Sequence, residues 1–381
     1  KIVINRSGGD SEPYAAVGRS KINQHVWRLG MTQRWKQAPA NSNWGQFGAD
    51  DQRGRMNLVG PAQVLSGIAE VKTGQTFSLS LPLDFPGGNA LNPARFPPRL
   101  VSTRRGGPEG PENYVLGLDY LEPNATDVVC DDIAILATQY STQWDSFAHV
   151  GSYFDADGDG VEEKVFYNGY RANAHIKPAA DVASDTTDLF AFQNPKATAL
   201  GIENLAQHGA QGRGVLVDLH AHFGRERIKI GYDHLMRVLE ADRVEIGVGD
   251  MVCFHTGFAE MLLEMNRNPD PEKLHHTCTG LDGEDERLLQ WITDSGVAAL
   301  IADNYAVEII PSRWMAPIRK PKLPLHAHCL FKNGIHLGEL WYLTPLANWL
   351  RANGRSRFLL TAPPLHLPGA VGSPVNPIAT V

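Results

Sequence analysis

The sequence predicts a protein of the α/β or α+β class, because strand-like and helix-like segments alternate along its second half. Apolar residues make up 43% and charged residues 20% of the 381 residues, which is typical of a folded globular chain. The chain shows no repeat at a period of roughly 20 to 50 residues, and no linker divides it clearly. We therefore expect one elaborated domain.

The elements are predicted from hydrophobic periodicity, taken in chain order. Pro61 begins a helix that Gly74 ends, and residues 76–83 alternate apolar and polar side chains as a half-buried strand does. Residues 84–113 collect Pro, Gly and Asn, and a loop of this length is often a binding lid. Apolar strands are predicted at 214–219, 251–255 and 297–302, with helices at 232–239 and 284–293.

Three regions are expected along the chain. Residues 1–42 are polar and weakly periodic, which is typical of an N-terminal arm lying on a folded body. Residues 43–362 hold the predicted elements and form the main domain. Residues 363–381 are rich in proline and predict an extended C-terminal tail, which is able to wrap a neighbouring subunit.

Charge and composition exclude several classes of function. Lys and Arg total 35 against 42 Asp and Glu, and the net charge of −7 would repel a nucleic acid. No apolar run approaches the roughly 20 residues that a membrane span needs. The four cysteines stand singly, so we expect mostly buried thiols rather than a zinc knuckle or a disulfide framework. A cytoplasmic protein with a small-molecule partner is the expectation that remains.

The segment 138–149 carries the most informative pattern. If it is extended, every second side chain projects to the same face. That face holds Gln139, Gln143, Asp145 and His149. Burying such groups without partners costs about 1 to 3 kcal/mol each, so they must be satisfied by one another, by water or by an ion. The pattern therefore indicates either a functional site or a hydrogen-bonded polar network.

This segment resembles the signature H-x-G-T-H-x-D-x-P-x-H of the cyclase family of metal-dependent hydrolases. Gln139 and Gln143 stand at its first two histidines, Asp145 at its aspartate and His149 at its last histidine. Segments within 43–58, 249–258 and 325–339 match longer members of the family in the same order. The resemblance implies a swivelling β/β/α-type domain with a central mixed sheet and peripheral helices, and residues 43–362 would be that hydrolase domain.

The resemblance also implies an activity, the hydrolysis of a small cyclic amide, imide or lactone by an activated water. The metal ligands it implies are Asp145, His326, Glu339, Gln143 and Gln139, and the acid/base is His149. His328 lies close to His326 and is the alternative histidine. A glutamine oxygen is a harder and weaker ligand than imidazole, so an oxygen-rich shell favours manganese or magnesium over zinc.

The two glutamines leave three alternatives open. One divalent ion binds through Asp145, Glu339, a histidine and one glutamine oxygen. Alternatively the site works without metal, with His149 as the base and the glutamine amides as oxyanion donors. In the third alternative the protein binds a ligand and is catalytically inactive.

Aromatic residues flank the matched segments and would line a flat pocket for a ring-containing substrate, unless they are ordinary core side chains. They are Trp144, Trp44, Phe47 and Phe147. Two further patterns are weaker: His220 and His222 resemble the H-x-H of barrel amidohydrolases, and residues 155–160 imitate half of a calcium loop but indicate a polar hairpin. The family and the tail together favour a homo-oligomer.

Overall fold

The computed structural model describes residues 34–178, 196–311 and 319–381, which belong to one unit spanning 34–381. The predicted arm at 1–42 therefore lies outside the described residues up to residue 33. Within the described ranges the fold mixes a large central sheet with helices, which confirms the predicted α/β class with a central mixed sheet and peripheral helices.

Short strands form the sheets of the described part of the chain. They are β1 (Thr76–Ser78), β2 (Arg99–Ser102), β3 (Leu116–Gly117), β4 (Val128–Val129), β5 (Asp132–Ile135), β6 (Gln143–Asp145), β7 (Ser152–Phe154), β8 (Glu163–Val165), β9 (Ile176–Lys177), β10 (Lys196–Ala197), β11 (Gln211–Asp218), β12 (Lys229–Ile230), β13 (Met251–His255), β14 (Gly280–Leu281), β15 (Ala299–Ala302), β16 (His336–Glu339), β17 (Arg357–Thr361), β18 (Gly372–Pro374) and β19 (Ile378–Thr380).

The α-helices of the same ranges surround the sheet. They are α1 (Pro61–Ile68), α2 (Glu203–His208), α3 (Leu219–Phe223), α4 (Tyr232–Ala241), α5 (Phe258–Met265), α6 (Pro271–His276), α7 (Glu286–Ser295), α8 (Pro324–His326) and α9 (Thr344–Ala352). A π-helical turn, Ala327–Lys332, continues α8, and single 3-10 turns lie at Gly54–Leu58, Leu118–Tyr120 and Tyr167–Gly169.

The central sheet has the strand order β1-β19-β17-β11-β13-β15-β16-β6-β18. The four strands β11, β13, β15 and β16 run parallel to their neighbours within this group, and the flanking strands pair antiparallel. The carboxyl ends of the parallel strands meet at one edge, which is where α/β sheets bind ligands.

Both faces of the sheet are covered, so the parallel strands are apolar on both sides. In β13, Val252 and Phe254 face one core cluster, which α4 and α7 complete, while Met251 and Cys253 face another, which α2 and α9 complete. This double coverage explains why the predicted strands at 214–219, 251–255 and 297–302 read as continuous apolar runs.

Local signals set the helix ends. Asp285 caps α7 by accepting hydrogen bonds from the backbone N–H groups of Arg287 (2.9 Å) and Leu288 (3.2 Å), and Gly296 ends the helix with a φ of +70°. Helix α1 begins at Pro61 as predicted. It ends at Ile68 rather than near Gly74, because its last turn tightens into hydrogen bonds between residues three apart.

The proline-rich segment 363–381 completes the sheet instead of lying apart as an extended tail. Strand β18 pairs with β6, and β19 inserts between β1 and β17. The side chains of Ala379 and Val381 are fully buried, and this burial holds the segment against the domain.

Residues 99–135, which we call the ribbon, leave the main body after the predicted lid. Strand β2 pairs with β5 and β3 pairs with β4, both antiparallel. Asn113 is the single buried residue of the ribbon. The loop predicted at 84–113 therefore contains the first strand of this ribbon, and only its first part remains a loop.

Two smaller predictions can be compared directly. Cys253, Cys278 and Cys329 are buried free thiols as expected, and Cys130 is exposed. The predicted polar hairpin forms between β7 and β8, with the carboxylate of Asp155 accepting hydrogen bonds from backbone N–H groups of the turn.

Across the described ranges, every helix is too short or too polar to pass through a lipid bilayer.

Candidate active site

The site lies where the parallel part of the sheet meets the antiparallel strand β6. Glu339 is the last residue of β16, and its backbone partner across the ladder is Gln143 of β6. Asp145 lies two residues further along β6, on the same face as Gln143. His326 ends α8, and its ring lies close to the carboxylates of these two strands. Only Gln143–Asp145 adopt the strand conformation predicted for 138–149. Turns before and after this strand position Gln139 and His149.

Asp145, His326 and Glu339 form a buried cluster. One ligand atom from each residue lies within 4.8 Å of the other two. His326 Nε2 lies 3.2 Å from Glu339 Oε1 and 3.8 Å from Asp145 Oδ2. None of the three residues is more than 3% exposed, so their charges interact with little screening by water.

Glu308 orients the imidazole of His326. Its carboxylate accepts hydrogen bonds from His326 Nδ1 (2.8 Å) and from the backbone N–H groups of Leu325 (3.0 Å) and His326 (3.1 Å). With Nδ1 held in this way, Nε2 faces Asp145 and Glu339. A carboxylate behind an imidazole is the arrangement that fixes metal-binding histidines.

Both glutamines bond to the carboxylates of the cluster. Gln139 Nε2 donates to Asp145 Oδ1, and Gln143 Nε2 lies 3.2 Å from Glu339 Oε2 and 3.5 Å from Asp145 Oδ1. In this arrangement both amide nitrogens donate to carboxylates of the cluster.

The donor set fits a divalent cation. Asp145 Oδ2 and Gln143 Oε1 are buried oxygens without a hydrogen-bond partner among the described residues. Such atoms are costly unless something binds them. Two carboxylates with one imidazole would neutralise and coordinate a cation such as manganese, magnesium or zinc. That Gln143 and Gln139 are also ligands stays a prediction.

The electrostatics of the cluster follow from burial and from its internal bonds. Burial alone would lower the pKa of His326, but its bonds to Glu308 and Glu339 raise it to about 10. Burial raises the pKa of Asp145, whereas the hydrogen bond from His326 lowers the pKa of Glu339 against the effect of burial. The two carboxylates around the imidazole thus outweigh the effect of burial on the pKa of His326.

His149 stands beside the cluster, in the turn that follows β6. Its ring centroid lies 6.4 Å from that of His326. Burial lowers the pKa of His149, so its ring is neutral near pH 7 and can accept a proton. The structure brings His149 to the cluster as the sequence expectation required, and its acid/base role stays a prediction.

The alternative histidines lie elsewhere. His328 Nε2 is 3.0 Å from Thr293 Oγ1, and burial lowers its pKa to about 4, so His326 is the histidine of the cluster. His220 and His222 lie in the short helix α3 and bond to the Gly224 carbonyl and to Asp242. The barrel alternative is wrong, because four parallel strands within a nine-stranded sheet do not make eight parallel β/α units.

Three of the four predicted pocket aromatics are core side chains. Trp144 points away from the cluster, donates Nε1–H to the Ala362 carbonyl (2.8 Å) and packs on Trp341. Phe147 is fully buried and stacks on a histidine ring. Trp44 donates to a main-chain carbonyl inside another aromatic group. Phe47 is half-buried. The pocket next to the cluster is lined by other residues.

That pocket has a volume of about 10 Å³, which is room for about one water molecule, and it lies beside the end of β16. Its apolar wall includes Leu91 and Leu340, the residue after Glu339, and its polar wall includes Arg95 and Tyr305. Arg95 Nη1 donates to the Gln139 carbonyl at 2.5 Å, which connects the pocket to the cluster.

Sequence reasoning missed Glu308, Arg95 and Tyr305. Glu308 follows the predicted strand at 297–302, where an acidic residue serves a helix cap or a salt bridge as readily as a site. Arg95 lies in the segment predicted as a lid, but so do several other arginines. No local sequence pattern indicates that Tyr305 lies at the site.

The remaining parallel strands end in a second polar group. Asp218 at the end of β11 accepts from His255 Nδ1 (2.8 Å) at the end of β13 and from Arg351 (2.7 Å). Asp303, after β15, accepts the backbone N–H groups of Thr256 (2.7 Å) and its neighbour. These residues satisfy one another, which agrees with a structural role for His255.

Comparisons with known proteins bear on the family. Residues 77–309 match the family model described as "Putative cyclase". The crystal structure of a novel cyclase is similar, with 31% identity, a TM-score of 0.66, and coverage of 89% of this chain and 97% of that one. No curated protein matches the chain.

Two further solved structures share little sequence with it. Isatin hydrolase A from Labrenzia aggregata shows 13% identity, a TM-score of 0.48, and coverage of 84% of this chain and 98% of that one. The predicted metal-dependent hydrolase from Bacillus stearothermophilus shows 14% identity, a TM-score of 0.42, and coverage of 80% and 97%. The family model and the novel cyclase structure together establish that the chain belongs to the cyclase family.

Proposed function

We propose that the chain is a hydrolase that opens a small cyclic amide, imide or lactone with the help of one divalent metal ion. The observation that carries this proposal is the buried cluster of Asp145, His326 and Glu339, whose ligand atoms lie within 4.8 Å of one another. Asp145 Oδ2 accepts no hydrogen bond among the described residues, so its lone pairs are available to a cation.

A bound divalent ion would supply Lewis acidity, which polarises a carbonyl group and makes water more acidic. The protein's own groups then have clear tasks. Glu308 keeps Nε2 of His326 directed at the cluster, and Gln139 holds the carboxylate of Asp145 in place. Both are needed because a misplacement of about 1 Å can cost roughly 100-fold in rate.

His149 moves the protons of the proposed reaction. The oxygen of water bonds to the substrate carbonyl carbon while the neutral ring of His149 takes one of its protons. The bond from that carbon to the ring nitrogen or oxygen then breaks, and the leaving atom receives the proton from His149. The products are a carboxylic acid and an amine or alcohol within one opened molecule.

The proposal is tested by metal analysis of protein purified without chelators. We expect about one manganese, magnesium or zinc ion per chain, lost in Asp145→Asn and kept in His328→Ala, whose ring points elsewhere. His149→Ala should keep the metal and lose turnover of a panel of lactones and cyclic amides.

Other results would select the alternatives. Activity that survives a chelator, in protein without metal, would assign the chemistry to His149 alone. Ligand binding without metal and without turnover would show that the chain is an inactive binding protein of the same fold.

A further inference from the structure

A second cavity lies at the end of β11, beside the polar group that Asp218 and His255 form. Its volume is about 410 Å³, which falls within the roughly 300 to 1,000 Å³ of small-molecule sites. Residues at the ends of helices α4 and α9 line it, and we call it the α4–α9 cavity. Strands β13 and β15 lie between β11 and β16 in the sheet, so this cavity is separate from the cluster at the end of β16.

The wall of the α4–α9 cavity is partly apolar. Leu216 of β11, Val244 after α4 and Leu350 of α9 contribute aliphatic side chains to it. All three residues are buried, so their positions are fixed by the surrounding core. The cavity therefore offers a rigid surface to the apolar part of a ligand.

The two carboxylates of the wall already have partners. Asp218 accepts hydrogen bonds from His255 Nδ1 (2.8 Å) and from Arg351 Nη2 (2.7 Å). Burial opposes ionisation of Asp218, but these bonds lower its pKa to about 2, so the carboxylate is charged and paired. Asp242 lies 2.9 Å from His222 Nε2. Neither carboxylate therefore needs a cation from a ligand.

Three arginines line the same cavity, and two of them keep N–H groups for a ligand. Arg351 directs Nε and Nη2 to Asp218, and its Nη1 makes no hydrogen bond within the described ranges. Arg355 bonds to main-chain carbonyls and lies 3.7 Å from Glu70 Oε2. Arg243 is exposed and has neither a hydrogen bond nor a salt bridge to any described residue. The cavity thus presents unpaired positive charge.

The backbone of Arg243 adopts a conformation that usually belongs to glycine. Its N–H donates to the Glu240 carbonyl (3.2 Å) and that of Val244 donates to the Leu239 carbonyl (2.8 Å), which is the Schellman ending of α4. The φ of Arg243 is +53°, and a side chain in this region costs stability. A binding role for the guanidinium would explain an arginine here.

We propose that the α4–α9 cavity binds a small organic carboxylate, whose charge pairs with Arg243 and with the remaining N–H groups of Arg351. Guanidinium groups bind carboxylates through strong charge-assisted hydrogen bonds. The apolar part of the ligand lies on the wall of Leu216, Val244 and Leu350. The inference is independent of the proposed hydrolysis, because no residue of the catalytic cluster contributes to this cavity.

Two probes of nearly the same shape test the charge preference. Cyclohexanecarboxylate carries the anion on an apolar ring, and cyclohexanecarboxamide is its neutral counterpart. We expect ligand-observed NMR titration to give a dissociation constant of about 1 mM or below for the carboxylate. The amide should bind about tenfold or more weakly, because the charge-assisted pair is lost.

Variants of Arg243 locate this preference. Arg243→Met removes the charge and should bring the two dissociation constants within about threefold. Arg243→Gly should do the same and keep or raise the melting temperature, because glycine suits a φ of +53°. Arg237→Met is the matched control, since Arg237 is exposed on α4 and does not line the cavity, and it should retain the preference.

Two further variants show where the probe binds. Ala241 is exposed, ends α4 and lines the cavity, so Ala241→Trp should occupy the space and weaken both probes by about tenfold. Asp145→Asn alters the cluster at β16 and should leave the binding of both probes unchanged.

Four results would overturn the inference. They are an absence of saturable carboxylate binding up to about 20 mM, equal binding of the two probes, a preference that survives in Arg243→Gly, and loss of binding in folded Asp145→Asn. Unchanged binding in folded Ala241→Trp would place the probe outside this cavity and would overturn it as well.

Discussion

Replacing Glu308 by glutamine tests how the imidazole of His326 is held. The carboxylate of Glu308 accepts three hydrogen bonds, one from His326 Nδ1 at 2.8 Å and two from the backbone N–H groups of Leu325 and His326 at 3.0 and 3.1 Å. The side chain is completely buried. The three hydrogen bonds therefore compensate the negative charge of these two buried oxygens.

Glutamine offers one oxygen in place of two and adds an N–H₂ group. At least one of the three donors would then face another donor. A charge-assisted bond contributes about 1.5 to 3 kcal/mol and an unsatisfied buried N–H costs about 1 to 3 kcal/mol, so we expect Glu308→Gln to lower the free energy of unfolding by about 3 kcal/mol. Loss of the orienting carboxylate should also weaken metal binding by about 10- to 100-fold.

The free energy of unfolding is measured by urea denaturation and metal affinity by titration with manganese. Glu226→Gln is the matched control, since Glu226 is exposed, and it should change stability by less than about 0.5 kcal/mol. Unchanged stability in Glu308→Gln would refute the hydrogen-bond argument. Lower stability with unchanged manganese affinity would show that Glu308 supports the fold without orienting the metal ligand.

Three further perturbations separate the site from its surroundings. His328→Ala should lower stability and leave turnover unchanged, because the ring bonds to Thr293 at 3.0 Å; a loss of turnover in folded protein would contradict this. Asp218 has its pKa lowered to about 2 despite burial, by bonds from a histidine and an arginine. A depressed pKa stabilises the fold above about pH 4, so the difference in unfolding free energy between wild type and Asp218→Asn should shrink by about 2 kcal/mol as the pH falls from 5 to 2; a constant difference would refute the assignment. Gly214→Ala places a Cβ 2.4 Å from the Phe358 ring and should cost about 1 to 3 kcal/mol in urea denaturation, where an unchanged midpoint would show that the ring moves freely.

The site was best predicted where polar side chains recur at every second position of a strand. Gln143 and Asp145 share a face because they are two residues apart on a strand, and local reasoning predicts this correctly. The same alternation requires Trp144 to point the other way, and the structure buries it on that side. The prediction that Trp144 lines the pocket is therefore wrong, because alternation along β6 places its side chain on the opposite face from Gln143 and Asp145.

The contributions of distant residues could not be predicted in the same way. Glu308 reaches His326 across 18 residues of chain, and its position depends on an isolated bridge to Leu281. The C-terminal strands β18 and β19 lie in a proline-rich segment that predicts an extended conformation, but no local signal indicates which strand they pair with. Pairing of this kind is decided by the rest of the fold.

The placement of Trp144 has a consequence for the register of β6. This strand is three residues long and lies between β16 and β18, so few backbone hydrogen bonds fix its alignment. A slip of one residue would turn both Gln143 and Asp145 away from Glu339 and expose a polar face to the apolar core. The indole of Trp144, bonded to the Ala362 carbonyl, works against such a slip. Trp144 therefore determines whether residues 196 positions apart in the chain, Gln143 and Glu339, meet in the alignment that the cluster requires.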